Sequence, residues 1–151
     1  MTFSINYLLL VCLLTLSSVC HAYPASWKYS HLGVPTKKHN KKEVYDAKWK
    51  YYTWGYDASE FNIQMHRFDA DAPFPKLLTT QAHIAFQVPN LKEAIKGRQV
   101  IWGPIESKPG LFVAIIQDPA TGMPVELLQT PLSKNEMIKK YHEPLKNNPK
   151  H

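Results

Sequence analysis

The residues best suited to chemistry in this chain of 151 residues fall into two similar segments. Residues 30–35 (SHLGVP) are echoed by residues 82–89 (AHIAFQVP), and each segment has a histidine, His31 or His83, near its start. Farther along the chain, Gln64 in the triplet IQM is matched by Glu126 in the triplet VEL. Because the same residue types return in the same order, the sequence predicts an internal duplication.

The four matched side chains can all bind a metal ion. If each half forms a curved sheet with its histidine and its polar partner facing inward, His31, Gln64, His83 and Glu126 converge on one cavity. Two imidazoles and a carboxylate are the set that Fe(II) favours and that Zn(II), Ni(II), Co(II) or Mn(II) accept. We therefore predict a divalent-metal site at these four residues, with Glu126 both a ligand and the candidate catalytic base.

Each of these residues also has an ordinary structural interpretation. An isolated histidine at the start of a strand is more often a core or surface residue than a ligand, and it is the repeat that favours metal binding here. A buried Glu126 needs a partner, which could be a metal ion or the guanidinium of Arg67 or Arg98. An amide binds transition metals less well than an imidazole or a carboxylate, so Gln64 could instead hydrogen-bond a metal-bound water.

Candidate substrate-binding residues lie beside the predicted ligands. His66 follows Gln64 by two residues and would share its strand face, as a base, a substrate contact or a histidine at the rim. Gln87 would share the strand face of His83. The aromatic segment 49–54 (WKYYTW) could stack on a ligand at the pocket mouth, or it could belong to the core or to a dimer contact. We assign His66, Gln87 and Trp54 to substrate binding.

Seven strands and two helices are predicted to position these residues. Aromatic and β-branched runs and alternating apolar residues predict strands over 27–34, 44–54, 61–68, 82–88, 98–102, 111–117 and 123–129. Asn90 with Glu93, and Ser133 with Glu136, are capping pairs that predict a short helix after residue 90 and a terminal helix near 134–142. The first half has a lysine-rich stretch, residues 37–42, where the second half has its helix. The pattern predicts an α+β fold of paired βαβββ modules forming a cup-shaped mixed sheet, with the first-module helix shortened and a short C-terminal helix.

The first 22 residues are predicted to be a secretory signal. The segment is apolar from Tyr7 to Val19 and offers Ala22 before a cleavage site, but it is shorter than the roughly 20 apolar residues of a membrane span. Both cysteines, Cys12 and Cys20, lie in this segment, so the processed chain would have no disulfide. Cys20 is a poor lipidation site because the bulky Val19 precedes it. We expect a periplasmic or secreted protein with no membrane span after signal removal, in which residues 23–151 form a single domain with a flexible tail after Pro144.

Composition excludes several other classes of protein. The chain has a net charge of +6 and a pI near 9.3, but its basic stretch at residues 37–42 lacks interleaved aromatic residues and reads as a solvated loop. Six glycines with no clustered motif argue against a phosphate-binding loop. We therefore expect a small-molecule partner and no nucleic acid.

The second half resembles the vicinal oxygen chelate superfamily, the group of glyoxalases, bleomycin-resistance proteins and extradiol dioxygenases. The resemblance rests on residues 83–86 (HIAF), the helix start at 90–94 (NLKEA), Asp118-Pro119 with Gly122, and Glu126-Leu127. It spans roughly residues 27–130 and implies metal ligands on the first and last strands of each module. Carried over, these positions are again His31, Gln64, His83 and Glu126, although a carboxylate is usual where Gln64 stands.

The resemblance implies two functions of different kinds. One is a glyoxalase-like, divalent-metal-dependent lyase, isomerase or dioxygenase that acts on a small molecule chelated through neighbouring oxygens. The other is a non-catalytic protein that binds or sequesters a small molecule in the same cup, as the drug-sequestering members do. A third and weaker interpretation is an envelope protein whose basic surface contacts a partner. Superfamily members often form dimers, so a homodimer is compatible with each function.

Overall fold

The computed structural model describes residues 23–142, and the predicted signal and the tail after residue 142 lie outside them. The chain has an α+β architecture, in which one mixed sheet of eight strands curls into a half-barrel. The strands are β1 (Lys28–Pro35), β2 (Val44–Asp46), β3 (Tyr51–Trp54), β4 (Ile63–Phe68), β5 (His83–Gln87), β6 (Val100–Lys108), β7 (Leu111–Gln117) and β8 (Pro124–Gln129). The helices are α1 (Lys76–Thr80), α2 (Leu91–Ala94) and α3 (Lys134–Met137), and α3 continues into a π-helical turn over Ile138–His142.

The strand order is the same in the two halves of the sheet. Across the sheet the order is β2-β3-β4-β1-β5-β8-β7-β6, with β1 and β5 antiparallel at the centre. In the first half β1 runs parallel to β4, and in the second half β5 runs parallel to β8. In each half the two strands beyond the parallel pair are added antiparallel. Because β1 and β5 are antiparallel, His83 at the start of β5 lies opposite Gly33, and His31 lies opposite Ala85.

The single strand predicted over residues 44–54 is wrong, because this segment is a hairpin of β2 and β3. The Asp46 carboxylate accepts hydrogen bonds from the backbone N–H groups of Lys48 and Trp49, at 3.1 and 3.2 Å, and so builds a turn. Lys50 adopts a left-handed conformation with φ of 54° before β3 begins. The run of strand-forming aromatic residues concealed this turn.

The predicted helix caps are confirmed. The Asn90 side chain accepts from the Glu93 N–H at the start of α2, and Ser133 and Glu136 form a complete capping box at the start of α3. The predicted short C-terminal helix is therefore present. Residues 36–43 contain no helix. The sequence does not predict α1, because its N-cap position is Pro75 and no side chain caps it.

The core packs on both faces of the second half of the sheet. On β7 the buried side chains alternate, so Ala114 and Ile116 pack with Leu127 on one face while Val113 and Ile115 pack with other apolar residues on the opposite face. The first of these clusters includes Leu91 and Ala94 of α2, and the second includes Leu78 of α1. No helix within residues 23–142 is long and apolar enough to cross a membrane.

Candidate metal centre

Five side chains that can bind or contact a metal ion line one cavity on the concave face of the sheet. They come from the four central strands and are His31, Gln64, His66, His83 and Glu126. The three histidines and the glutamine are buried, and the Glu126 side chain is 14% exposed. The structure therefore brings together the four residues predicted as ligands, and it adds His66 to them.

The strand register explains why Glu126 meets His31. Ala85 of β5 lies between them, paired with Glu126 on one side and with His31 on the other. Cross-strand neighbours share a face, and the small Ala85 side chain leaves room above the sheet for the two longer ones. As a result, Oε2 of Glu126 lies 3.2 Å from Nε2 of His31.

The same arrangement recurs on the other side of the centre. Gly33 of β1 is paired with Gln64 on one side and with His83 on the other, so Gln64 holds the position that Glu126 holds in the second half. A Cβ atom on Gly33 would lie 2.1 Å from Cε1 and 2.2 Å from Nε2 of His83. The imidazole of His83 therefore occupies the space above Gly33, and it fits there because Gly33 has no side chain.

The carboxylate of Glu126 is shared by two imidazoles. Its Oε2 atom lies 3.1 Å from Nε2 of His83 in a hydrogen bond, whereas the 3.2 Å approach of His31 Nε2 lacks hydrogen-bond geometry. Burial by itself would raise the pKa of Glu126, but the close approach and charge of His31 and His83 outweigh it and hold this pKa below its usual value. Glu126 therefore remains a carboxylate, the form that binds a cation.

A third imidazole completes the cluster. Ligand nitrogens of His31, His66 and His83 all lie within 4.8 Å of one another, and the His66 ring stacks on His31 at 6.1 Å between centroids. The buried Nδ1 of His83 has no hydrogen-bond partner among residues 23–142. Three buried imidazoles in this arrangement could hold a metal ion. The sequence analysis assigns His66 to substrate binding, and its spacing of two residues from Gln64 predicts the shared strand face.

The rest of the cavity wall is aromatic and apolar. Trp102 contacts both Trp49 and Phe74, at 5.3 and 5.0 Å between ring centroids, and Tyr51 contacts Phe74 at 5.3 Å. Burial raises the pKa of Tyr51, so its phenol stays protonated and can donate a hydrogen bond. The cavity volume is about 100 Å³, far below the roughly 300–1,000 Å³ of a drug-sized site. A ligand that fits must be small.

The cavity is closed by contacts between opposite ends of the sheet. Lys108 of β6 forms an ion pair with Asp46 of β2 at 2.8 Å, and the indole N–H of Trp49 donates to the carbonyl of Ser107 at 3.0 Å. Tyr141, from the π-helical turn, also lines the cavity and donates to the carbonyl of Pro109. These side-chain contacts join the two edges of the curled sheet across the cavity.

Two of the predicted substrate contacts lie away from this cavity. Trp54, at the end of β3, is half-buried and does not line it, whereas Trp49 and Tyr51 of the same aromatic segment do. The Gln87 amide donates to the carbonyls of Thr130 and Leu132, at 2.8 and 3.4 Å, and so holds the chain that follows β8.

The arginines considered as partners of Glu126 are engaged elsewhere. Arg67 donates from Nε and Nη2 to the carboxylate of Glu43, and Arg98 lies over the ring of Trp27 at 5.2 Å. The groups that approach the Glu126 carboxylate are therefore imidazoles.

Comparisons with known proteins support the architecture. The chain is similar to a solved structure of a hypothetical protein from Bacillus halodurans C-125, with a TM-score of 0.50 and 17% sequence identity over 72% of this chain and 97% of that protein. At this identity the likeness concerns the fold alone. No protein-family model matches the sequence, and no curated protein matches it significantly.

Proposed function

We propose that this protein is a divalent-metal-dependent member of the vicinal oxygen chelate type, with His31, His83 and Glu126 as the principal ligands. The observation that carries the proposal is the contact of one Glu126 oxygen with two imidazole nitrogens, at 3.1 and 3.2 Å, inside a cavity. Nitrogen and oxygen ligands bind ions such as Zn(II) at about 2.0–2.2 Å, so two ligands of one ion lie about 3 Å apart. The observed contacts fit this spacing.

The architecture supports the same proposal. Two halves with identical strand order, joined by antiparallel β1 and β5, are compatible with the paired βαβββ modules that the sequence predicts, with residues 36–43 in place of the first helix. The two histidines and their polar partners then occupy equivalent positions of the two modules. The chemistry of the ligands also supports the proposal. Two imidazoles with one carboxylate suit Fe(II), Co(II), Ni(II) and Zn(II), whereas Mg(II) and Ca(II) prefer oxygen ligands.

The cavity defines what the protein could do with such an ion. A bound divalent ion would act as a Lewis acid on the oxygens of a small molecule, which suits a lyase or an isomerase, and a redox-active ion such as Fe(II) would also suit a dioxygenase that uses dioxygen as the oxidant. The aromatic wall would exclude water and orient the substrate, and the protonated Tyr51 can donate a hydrogen bond to it. His66 faces the same space and is the group placed to accept or return a proton. We place this activity in the periplasm or outside the cell, as the predicted signal requires.

Metal content tests the proposal directly. The purified chain, equilibrated in turn with Fe(II), Co(II), Ni(II), Mn(II) and Zn(II), should retain about one ion per chain after gel filtration, measured by elemental analysis. His31→Ala and His83→Ala should lose the ion. His39→Ala is the matched control, because the His39 side chain is 78% exposed and does not line the cavity. A wild-type chain that retains none of these ions, or a His31→Ala variant that retains the ion fully, would overturn the proposal.

The aromatic wall favours one alternative, a carrier that binds a small molecule without metal. Trp49 and Trp102 both line the cavity, so an aromatic ligand such as phenol should quench tryptophan fluorescence on binding. Metal-free wild-type chain that binds phenol saturably, with no change on adding metal, would select the carrier over the enzyme.

A further inference from the structure

We infer that Gln64 sets the charge of the ligand, so that the metal-loaded site selects a small chelating molecule with a single negative charge. The inference rests on the proposed metal site and deepens it. Its structural basis is the replacement of a carboxylate by a neutral amide at the position equivalent to Glu126.

Gln64 is directed at the site by the register of the sheet. It lies opposite Gly33, and His83 lies on the other side of Gly33, so no side chain separates Gln64 from the imidazole. Gln64 is 7% exposed and lines the cavity. Its amide forms no hydrogen bond within residues 23–142. The amide faces the cavity, where a ligand or a bound ion can be its hydrogen-bond or ligand partner.

The charges that line the cavity can be counted. Among the described residues these are the negative Glu126 and the positive Lys108, and Lys108 is already neutralised by Asp46 at 2.8 Å. Imidazoles that bind a metal do so in their neutral form. A divalent cation with one carboxylate and neutral imidazoles therefore leaves a net charge of about +1 in a largely apolar cavity. With Glu in place of Gln64, the loaded site would be neutral.

A buried net charge is unfavourable unless something compensates it. The ligand that completes this site best therefore supplies two neighbouring oxygens and one negative charge. The volume of about 100 Å³ limits it to a molecule of a few heavy atoms in the buried part. Glycolate meets these requirements, and glycolamide has the same shape without the charge.

The test measures the affinities of glycolate and glycolamide by calorimetry on metal-loaded protein. Wild-type chain should bind glycolate at least about tenfold more tightly than glycolamide, a difference of about 1.4 kcal/mol, because a unit charge about 4 Å from a net positive site gains at least that much inside a protein. In Gln64→Glu the ratio of the two affinities should fall by about tenfold or more, because the added carboxylate removes the positive charge. The matched control, Gln64→Asn, keeps the amide and the net charge and should keep the ratio within about threefold.

Metal content is measured in every sample, which separates the two proposals. If wild-type chain takes up no ion, the proposed function fails and this inference fails with it. If wild-type chain is fully loaded but binds both molecules equally, or if loaded Gln64→Glu keeps the wild-type ratio, the metal site stands and the role of Gln64 is refuted. Equal binding of the two molecules by loaded wild-type chain refutes the inference even if Gln64→Glu does not fold.

Discussion

Replacing Gly33 by alanine should displace the His83 imidazole and disable the metal site. The new Cβ would lie 2.1 Å from Cε1 of the ring, whereas ordinary contact begins at 3.4 Å. The ring must therefore retreat by about 1.3 Å, many times the tolerance of about 0.2 Å for a metal–ligand bond. We expect metal affinity to fall by at least about 100-fold, since losing a ligand exceeds the 10–100-fold cost of losing a residue that only supports one.

The assay combines metal titration with denaturant unfolding. Gly33→Ala should also lose about 1–3 kcal/mol of folding stability, the usual cost of overpacking. Gly97→Ala is the matched control, because Gly97 has a φ of +70° and no heavy atom within 4 Å of its added Cβ. It should lose about 1 kcal/mol through backbone strain and keep its metal. The comparison separates loss of the site from general destabilisation.

A double-mutant cycle tests the cause. Without the ring, the added methyl group meets no obstacle. Gly33→Ala should therefore lower folding stability by at least about 1 kcal/mol less in a His83→Ala background than in the wild type. If Gly33→Ala binds metal with wild-type affinity, or if its stability cost is the same in both backgrounds, the close packing of His83 on Gly33 does not position the ligand.

Three further predictions concern the scaffold. Leu127→Ala should lower the free energy of unfolding by about 2–5 kcal/mol, measured in urea, because Leu127 is 0% exposed in the apolar cluster that packs with α2. Glu43→Gln should cost about 1 kcal/mol at pH 7. The Arg67 hydrogen bond lowers the pKa of Glu43 below the usual 4.5, so the pair stabilises the fold fully above that pH. The stability cost of Glu43→Gln should therefore shrink as acid protonates the folded carboxyl. An equal cost at pH 2.5 would contradict this. Ser133→Ala should cost about 1 kcal/mol and speed amide exchange in α3, and unchanged exchange would show that the capping box is not needed.

The sequence was sufficient for the features that depend on local pattern. Alternation of apolar and polar residues determines which side chains share a strand face, so the echo of His31 in His83 already indicated that both imidazoles face the same side. Capping is local too, because Asn90 and Ser133 bond to backbone groups three residues away. These elements could be predicted without any knowledge of what packs on them.

Other features were concealed because they depend on distant partners or weak local signals. The β2–β3 hairpin was read as one strand, since the turn at Asp46 is embedded in strand-forming residues. β6 extends to Lys108, beyond the predicted end at residue 102, because it pairs with β7 through several irregularities in register. The partner of Arg67 is Glu43, a choice that no spacing rule could make among the acidic residues of the chain.

From the sequence alone it could be predicted that two histidines, an amide and a carboxylate occupy equivalent places in the two halves of the chain. The packing of the strands was needed to show that Gly33 provides the space for His83, that Ala85 lets Glu126 reach His31, and that His66 joins the imidazoles. The face to which a side chain points is fixed within its own strand, because successive side chains alternate between the two faces of the sheet. The distance between two side chains on different strands depends instead on the register of those strands and on the size of the side chains between them.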